Sequence, residues 1–200
     1  VAGFLFMRLL LIRHGLTDYN LKNRYCGFRD IGLNKLGKTQ VRAIKNKLKG
    51  LKIDKVFCSD LKRSKQTARI IFGDSKCKII ENLNFREINF GRWEGLTYKQ
   101  ILKEYPVIYK RWLKAPFSRD IPGGEKMDNF ISRIKNELKK IIKNNPGRTV
   151  ALVTHLGPIR VILNTILKSK KSDFWRLKIN PKAIYMIEYS SQLRHKVYEI

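Results

Sequence analysis

The chain has 200 residues, 43% of them apolar, with 43 Lys and Arg against 16 Asp and Glu and a formal charge of +27. That length suits one domain, or one domain with a small cap, and the apolar share excludes a disordered tail protein. No apolar run reaches the ~18 residues that a membrane helix needs.

The elements follow in chain order. The stretch Phe4 to Ile12 is broken by Arg8 and runs into Arg13-His14-Gly15, so it does not read as a signal peptide. Val1 to Phe6 reads as an upstream extension before Met7, and Met7 to Ile12 as a buried strand. A loop follows to about Asn34. Val41, Ala43, Ile44 and Leu48 then recur at helical spacing, stopped by Gly50. Val56 to Cys58 is a second strand. Ser59 or Asp60 is placed to cap the next helix, which Gly73 ends. Cys77 to Ile80 is a third strand, and Asn84 to Gly95 is irregular.

Thr97 and Gln100 fit a capping box, with Leu96 and Ile101 as its hydrophobic staple. Pro106 and Pro116 break up the segment beyond. Met127, Phe130, Ile131, Ile134, Leu138, Ile141 and Ile142 outline an amphipathic helix, ended by Pro146-Gly147. Thr149 to Val153 is a strand that leads into Thr154-His155. Gly157-Pro158 opens a last helix, through about Lys168. Ala183 to Tyr189 and Leu193 to Tyr198 are two closing strands, with antiparallel pairing open to them. There is no repeat, linker or shift in composition. Strands alternating with helices predict a single α/β domain over residues 1–200 with a mainly parallel sheet.

Cys26, Cys58 and Cys77 form no Cys-x-x-Cys pair, and their odd number speaks against a disulfide framework. A reducing cytoplasm is the expected setting. The positive charge is spread along the chain with no basic tail. A lysine-rich solvated face ranks first as its reading, attraction to phosphates second, and a nucleic-acid groove third.

Ligands of an open α/β sheet sit beyond the carboxyl ends of the strands. There the sequence places Arg13-His14, Ser59-Asp60 with Arg63, Arg86-Glu87 and Thr154-His155. Two imidazoles and several guanidinium groups make a cationic pocket, and arginine grips phosphate oxygens through a planar fork. An imidazole is a competent nucleophile toward phosphorus, and a carboxylic acid beside it can protonate a departing alcohol. Each histidine alone reads more readily as structural, and Arg86 and Glu87 alone as surface charges. The histidines have no metal-ligand spacing, and no nucleotide P-loop is present. The residues alone therefore reach an anion-binding α/β enzyme.

The segment LIRHGLTDYN (Leu11 to Asn20) resembles the signature of the histidine phosphatase superfamily, in its phosphoglycerate mutase-like branch. Further blocks resemble that family in order: Gly27, Asp30, Leu33, Gly37 and Gln40; Ser59 to Arg63 with Gln66-Thr67-Ala68; Arg86 to Gly95; Pro122 to Glu125; and Thr154-His155. The resemblance covers about Met7 to Arg160. It implies a three-layer α/β fold, a mainly parallel central sheet with helices on both faces, and a metal-independent phosphomonoesterase without cofactor. His14 would carry the phosphoryl group. Arg13, Arg63 and His155 would clamp phosphate oxygens. Asn20 would add a hydrogen bond, and Glu87 would exchange protons with the leaving group and water. Cys26 and Gly27 would sit in a substrate-contacting loop. The helical segment 97–122 would lie over the pocket mouth.

Leu16, Lys126 and Leu156 depart from the family pattern. Leu156 stands where glycine often follows the second histidine, which bears on the backbone near His155. FGRWEG (Phe90 to Gly95) most resembles the α-ribazole-5′-phosphate phosphatases of cobalamin biosynthesis. Phosphoserine and broad-specificity phosphatases share much of the pattern. The mutases typically carry a longer insertion before the Pro-Gly-Gly turn. The expected partner is a small phosphorylated molecule, with no membrane and no nucleic acid. A polyanion or nucleic-acid binder is the non-enzymatic alternative, and a homodimer stays open.

Overall fold

The first apolar run forms β1 (Met7–Arg13), and both of its faces are covered. Leu9 and Leu11 face one hydrophobic cluster, and Leu10 and Ile12 face the other. In β4 (Thr149–Thr154), Val150 and Leu152 join the first cluster, while Ala151 and Val153 join the second. The pleat dictates this alternation, so a strand between two cores must be apolar throughout. The structure is a computed structural model that describes residues 7–170, 173–189 and 195–200.

β2 (Lys55–Cys58), β3 (Ile79–Glu81), β5 (Ile184–Tyr189) and β6 (Lys196–Glu199) complete a sheet of order β3-β2-β4-β1-β5-β6. The first four strands of that order are parallel neighbours; β5 and β6 are antiparallel. After the single-turn α1 (Asp18–Leu21), α2 (Lys35–Lys47) and α3 (Lys62–Phe72) bury Val41, Ile44, Ala68 and Ile71 on one face. On the other, α6 (Met127–Asn144) and α7 (Leu156–Ile166) bury Phe130, Ile134, Ile159 and Ile162. The three-layer α/β fold with a mainly parallel sheet is therefore the one adopted. Among the described residues, no helix is long and apolar enough to cross a membrane.

Three local expectations shift. The third strand begins at Ile79 rather than Cys77. α3 is not capped by Ser59 or Asp60, because its N-cap position is Leu61. Asp30, from a distant loop, accepts the Lys62 N–H at 2.5 Å instead. Asp60 is engaged by Arg86 at 2.8 and 2.5 Å, and Ser59 Oγ lies 2.9 Å from His155 Nε2. α7 starts at Leu156, one residue early, with Pro158 still in its first turn. The turn between β5 and β6, and Leu193 with it, lies outside the described residues.

The expected capping box forms. Thr97 Oγ1 accepts from Gln100 N, and Gln100 Oε1 accepts from Thr97 N, at the start of α4 (Tyr98–Glu104). Pro106 is the first residue of α5 (Pro106–Lys114), where a missing N–H costs nothing. The two aromatic residues of α5 are buried: Tyr109 and Trp112 pack edge-on against Trp93, at centroid distances of 5.1 and 5.3 Å.

Candidate active site

β1 and β4 are parallel neighbours whose register sets Arg13 against Thr154. The residues just beyond both strand ends therefore meet. His14 N–H donates to Thr154 O at 2.9 Å, and the His14 and His155 rings lie 5.0 Å apart, tilted by 60°. His14 Nδ1 sits 2.8 Å from Gly15 O. A carbonyl oxygen only accepts, so Nδ1 carries the proton and Nε2 keeps its lone pair. Burial, with Arg63 and Arg13 nearby, holds His14 well below the usual imidazole pKa. His14 is therefore a neutral base near pH 7.

Arg63 reaches the same place from the first turn of α3. It is buried, and it donates from Nε to His155 Nδ1 at 3.2 Å, from Nη1 to Arg29 O at 2.8 Å and from Nη2 to Gly27 O at 2.7 Å. Both ring nitrogens of His155 are thus engaged, one by Arg63 and one by Ser59. Burial, then Arg63, also holds the His155 pKa well below its usual value. Arg13 Nε is buried without a partner, which leaves a donor ready for an anion.

Glu87 lies in the irregular stretch after β3. Its Oε1 accepts the Ile88 N–H and its Oε2 the Gly157 N–H, each at 3.0 Å. A methyl group on Gly157 would collide with Glu87 Oε1 and press on Phe130. Only glycine lets the start of α7 approach the carboxylate this closely.

These groups surround a cleft of about 270 Å³. Of the residues singled out by sequence, Arg13, His14, Asn20, Cys26, Arg63 and Glu87 line it. His155 and Gly27 are not among its lining residues. His155 is fully buried beside His14, and Gly27 turns its carbonyl to Arg63. Asn20 Oδ1 accepts from Thr17 N and Oγ1, at 3.0 and 2.9 Å, so its amide NH₂ is the group able to donate to a ligand. Burial pushes the Cys26 thiol pKa up, against a lowering by Arg63. Three arginines, Arg13, Arg24 and Arg63, against the one carboxylate of Glu87 leave the described lining of the cleft net positive, as an oxyanion requires. Among the described residues, no three His, Cys, Asp or Glu side chains gather to hold a metal ion.

Residues 9–197 match the family model of the Histidine phosphatase superfamily (branch 1). The chain belongs to that superfamily. It is 27% identical over 97% of its length to Phosphoserine phosphatase 1 of Hydrogenobacter thermophilus, covering 92% of that protein. It is 28% identical over 87% of its length to the Adenosylcobalamin/alpha-ribazole phosphatase of Escherichia coli, covering 86% of it. Its fold matches the crystal structure of a putative alpha-ribazole-5'-P phosphatase from E. coli with a TM-score of 0.90, at 23% identity, over 97% of this chain and 95% of that one. The chain is a phosphatase of phosphoglycerate mutase-like fold.

Much of the family pattern in this histidine phosphatase is scaffolding. Glu94 holds the loop that carries Cys26 and Gly27 by accepting Phe28 N–H at 2.5 Å and Arg29 N–H at 2.8 Å. Gln66 and Gln40 accept the Leu33 and Leu16 N–H groups, at 2.7 and 3.2 Å. Glu125, from the Pro-Gly-Gly-Glu turn, receives Arg133 at 2.7 and 2.9 Å. Arg133 in turn donates to the carbonyls of Asn84, Arg86 and Glu87, at 2.6, 2.9 and 2.9 Å. Sequence reasoning missed Arg133, because an arginine on a lysine-rich helix looks like one more surface cation. It also missed Thr17, Arg24, Tyr25 and Phe90 on the cleft wall. The neighbourhood of Tyr25 and Arg24 to Cys26 was the available signal. Leu156 leaves the backbone undistorted: it opens α7 in helical conformation and lines the cleft.

Proposed function

We propose that this phosphatase hydrolyses phosphate monoesters through a phosphorylated His14, with α-ribazole 5′-phosphate of cobalamin biosynthesis as its leading substrate. The observation that carries the mechanism is the Nδ1–Gly15 hydrogen bond, which fixes the tautomer with Nε2 as nucleophile. Nε2 attacks phosphorus and the bond to the alcohol oxygen breaks. Glu87, carrying a proton, gives it to that oxygen. The Glu87 carboxylate then takes a proton from water, the hydroxide displaces His14, and phosphate leaves. Arg13, Arg63 and the Asn20 amide hold the phosphoryl oxygens and stabilise the charge that develops. His155 positions Arg63 and packs against His14. Cys26 and Gly27 form the loop that Arg63 fixes at the cleft edge.

Residues 97–122 act on the mouth of the site through Tyr109, whose hydroxyl lies 2.5 Å from that of the cleft residue Tyr25. The E. coli alpha-ribazole phosphatase relative and the FGRWEG block support the substrate. The Hydrogenobacter relative favours phosphoserine as the second reading.

The test is phosphate release in excess EDTA from α-ribazole 5′-phosphate, phosphoserine and 3-phosphoglycerate, with His14→Ala as control. Turnover concentrated on α-ribazole 5′-phosphate is expected. Turnover concentrated on phosphoserine would replace the substrate and keep the mechanism. A His14→Ala control as active as the native chain would overturn the mechanism.

A further inference from the structure

A second cleft, of about 200 Å³, adjoins the phosphate-binding one and shares Tyr25, Glu87, Phe90 and Leu156 with it. Glu87 therefore stands at the junction. Beyond it the walls change character. Phe130 and Phe174 form the buried side, and Trp175, 39% exposed, stands at the rim. The Trp175 ring packs edge-on to Phe174 at 4.9 Å and lies 5.7 Å from the Arg160 guanidinium. Arg160 is also held by Nε donating to Leu177 O at 3.1 Å. Among the described residues, Glu87 is the cleft's carboxylate and Arg160 its cation.

We propose that this cleft seats the alcohol half of the substrate and selects a flat apolar ring over a zwitterionic or cationic group. The proposal rests on the phosphoryl-transfer reading above, because it needs phosphorus beside His14 and the alcohol oxygen beside Glu87. With phosphorus there, the alcohol must leave past Glu87, and the second cleft opens at that point. Stripping water from an ammonium against aromatic walls is costly without a partner. The carboxylate available to an ammonium is the one needed for proton transfer, and Arg160 repels it further. A ring meets no such cost and gains edge or face contact with Trp175 and Phe174. Leu156 lies on the border between the clefts. There it narrows the passage and adds apolar surface that the glycine frequent in the family lacks.

Benzyl phosphate and ethyl phosphate test this, since their alcohols are similarly poor leaving groups and differ in the ring. The native enzyme is expected to favour benzyl phosphate by about tenfold in kcat/KM, and to favour it over phosphoserine. Trp175→Ala should remove most of that preference while ethyl phosphate changes by less than about twofold. Leu156→Ala should weaken the preference in the same direction. Equal use of the two esters, preference for phosphoserine, or equal losses on both in Trp175→Ala would overturn the proposal. Binding of benzylphosphonate and ethylphosphonate to His14→Ala separates the cleft from the chemistry. Selective binding that Trp175→Ala removes, without turnover by the native chain, would refute the chemistry and keep the cleft. Turnover with unselective phosphonate binding would do the reverse.

Discussion

At the scale of single residues, the site depends on two close approaches. One is Gly157 against Glu87. Gly157→Ala should displace the carboxylate and lower kcat by about 10²-fold or more, with a small change in KM, because the proposed mechanism has Glu87 act in the transition state. Steady-state kinetics on the preferred ester would show this, and an unchanged kcat would mean that Glu87 is not positioned from α7. The other is the burial of His14 and His155 together beside two arginines. Both imidazoles have folded-state pKa values held below their unfolded value. The unfolded chain accepts protons there near pH 6.5 and the folded chain does not. Their contribution to stability is thus complete above that pH and is lost as pH falls below it. Urea midpoints should drop from about pH 7 to about pH 5. In ¹⁵N spectra the His14 ring should stay neutral through pH 6.5. A ring titrating at or above that value would contradict the electrostatics described.

At the scale of elements, α6 and the Pro-Gly-Gly-Glu turn support the Glu87 segment through Arg133. Its donors reach the carbonyls of Asn84, Arg86 and Glu87 and the carboxylate of Glu125, with both charged side chains largely buried. Arg133→Met should cost about 2–4 kcal/mol of stability and reduce kcat more than it raises KM. Denaturant titration and kinetics would check both. A variant with native stability and kcat would show the network to be dispensable.

Such networks explain what the sequence disclosed. β1, β4 and α6 were legible because covered strands read as continuous apolar runs and an amphipathic helix repeats its apolar positions. His14, Arg63 and Glu87 were legible because parallel strands deliver their ends to one side of the sheet. The cap of α3 was not, since Asp30 reaches it across the fold. Arg133 was hidden for the same reason, and so were the occupied ring nitrogens of His155. The departure at Leu156 was visible, but its consequence as a wall between two clefts needed the position of Phe174 and Trp175.

At the scale of the whole molecule, a charge of +27 surrounds a net-positive cleft. The field should raise the encounter rate with phosphate dianions, and salt should screen it over about 10 Å at 0.1 M. kcat/KM should fall several-fold between about 20 and about 500 mM salt while kcat holds steady. A flat profile would leave the charge to solvation alone. The mechanism proposed above centres on a phosphoryl group carried by His14. The most direct measurement is therefore rapid acid-free quenching during turnover, followed by mass spectrometry of the peptide that contains His14. A phosphoryl adduct on His14 that is acid-labile, forms at a rate compatible with kcat and is missing in His14→Ala is the predicted result. Turnover without that adduct, or with the phosphoryl group on another residue, would contradict the account.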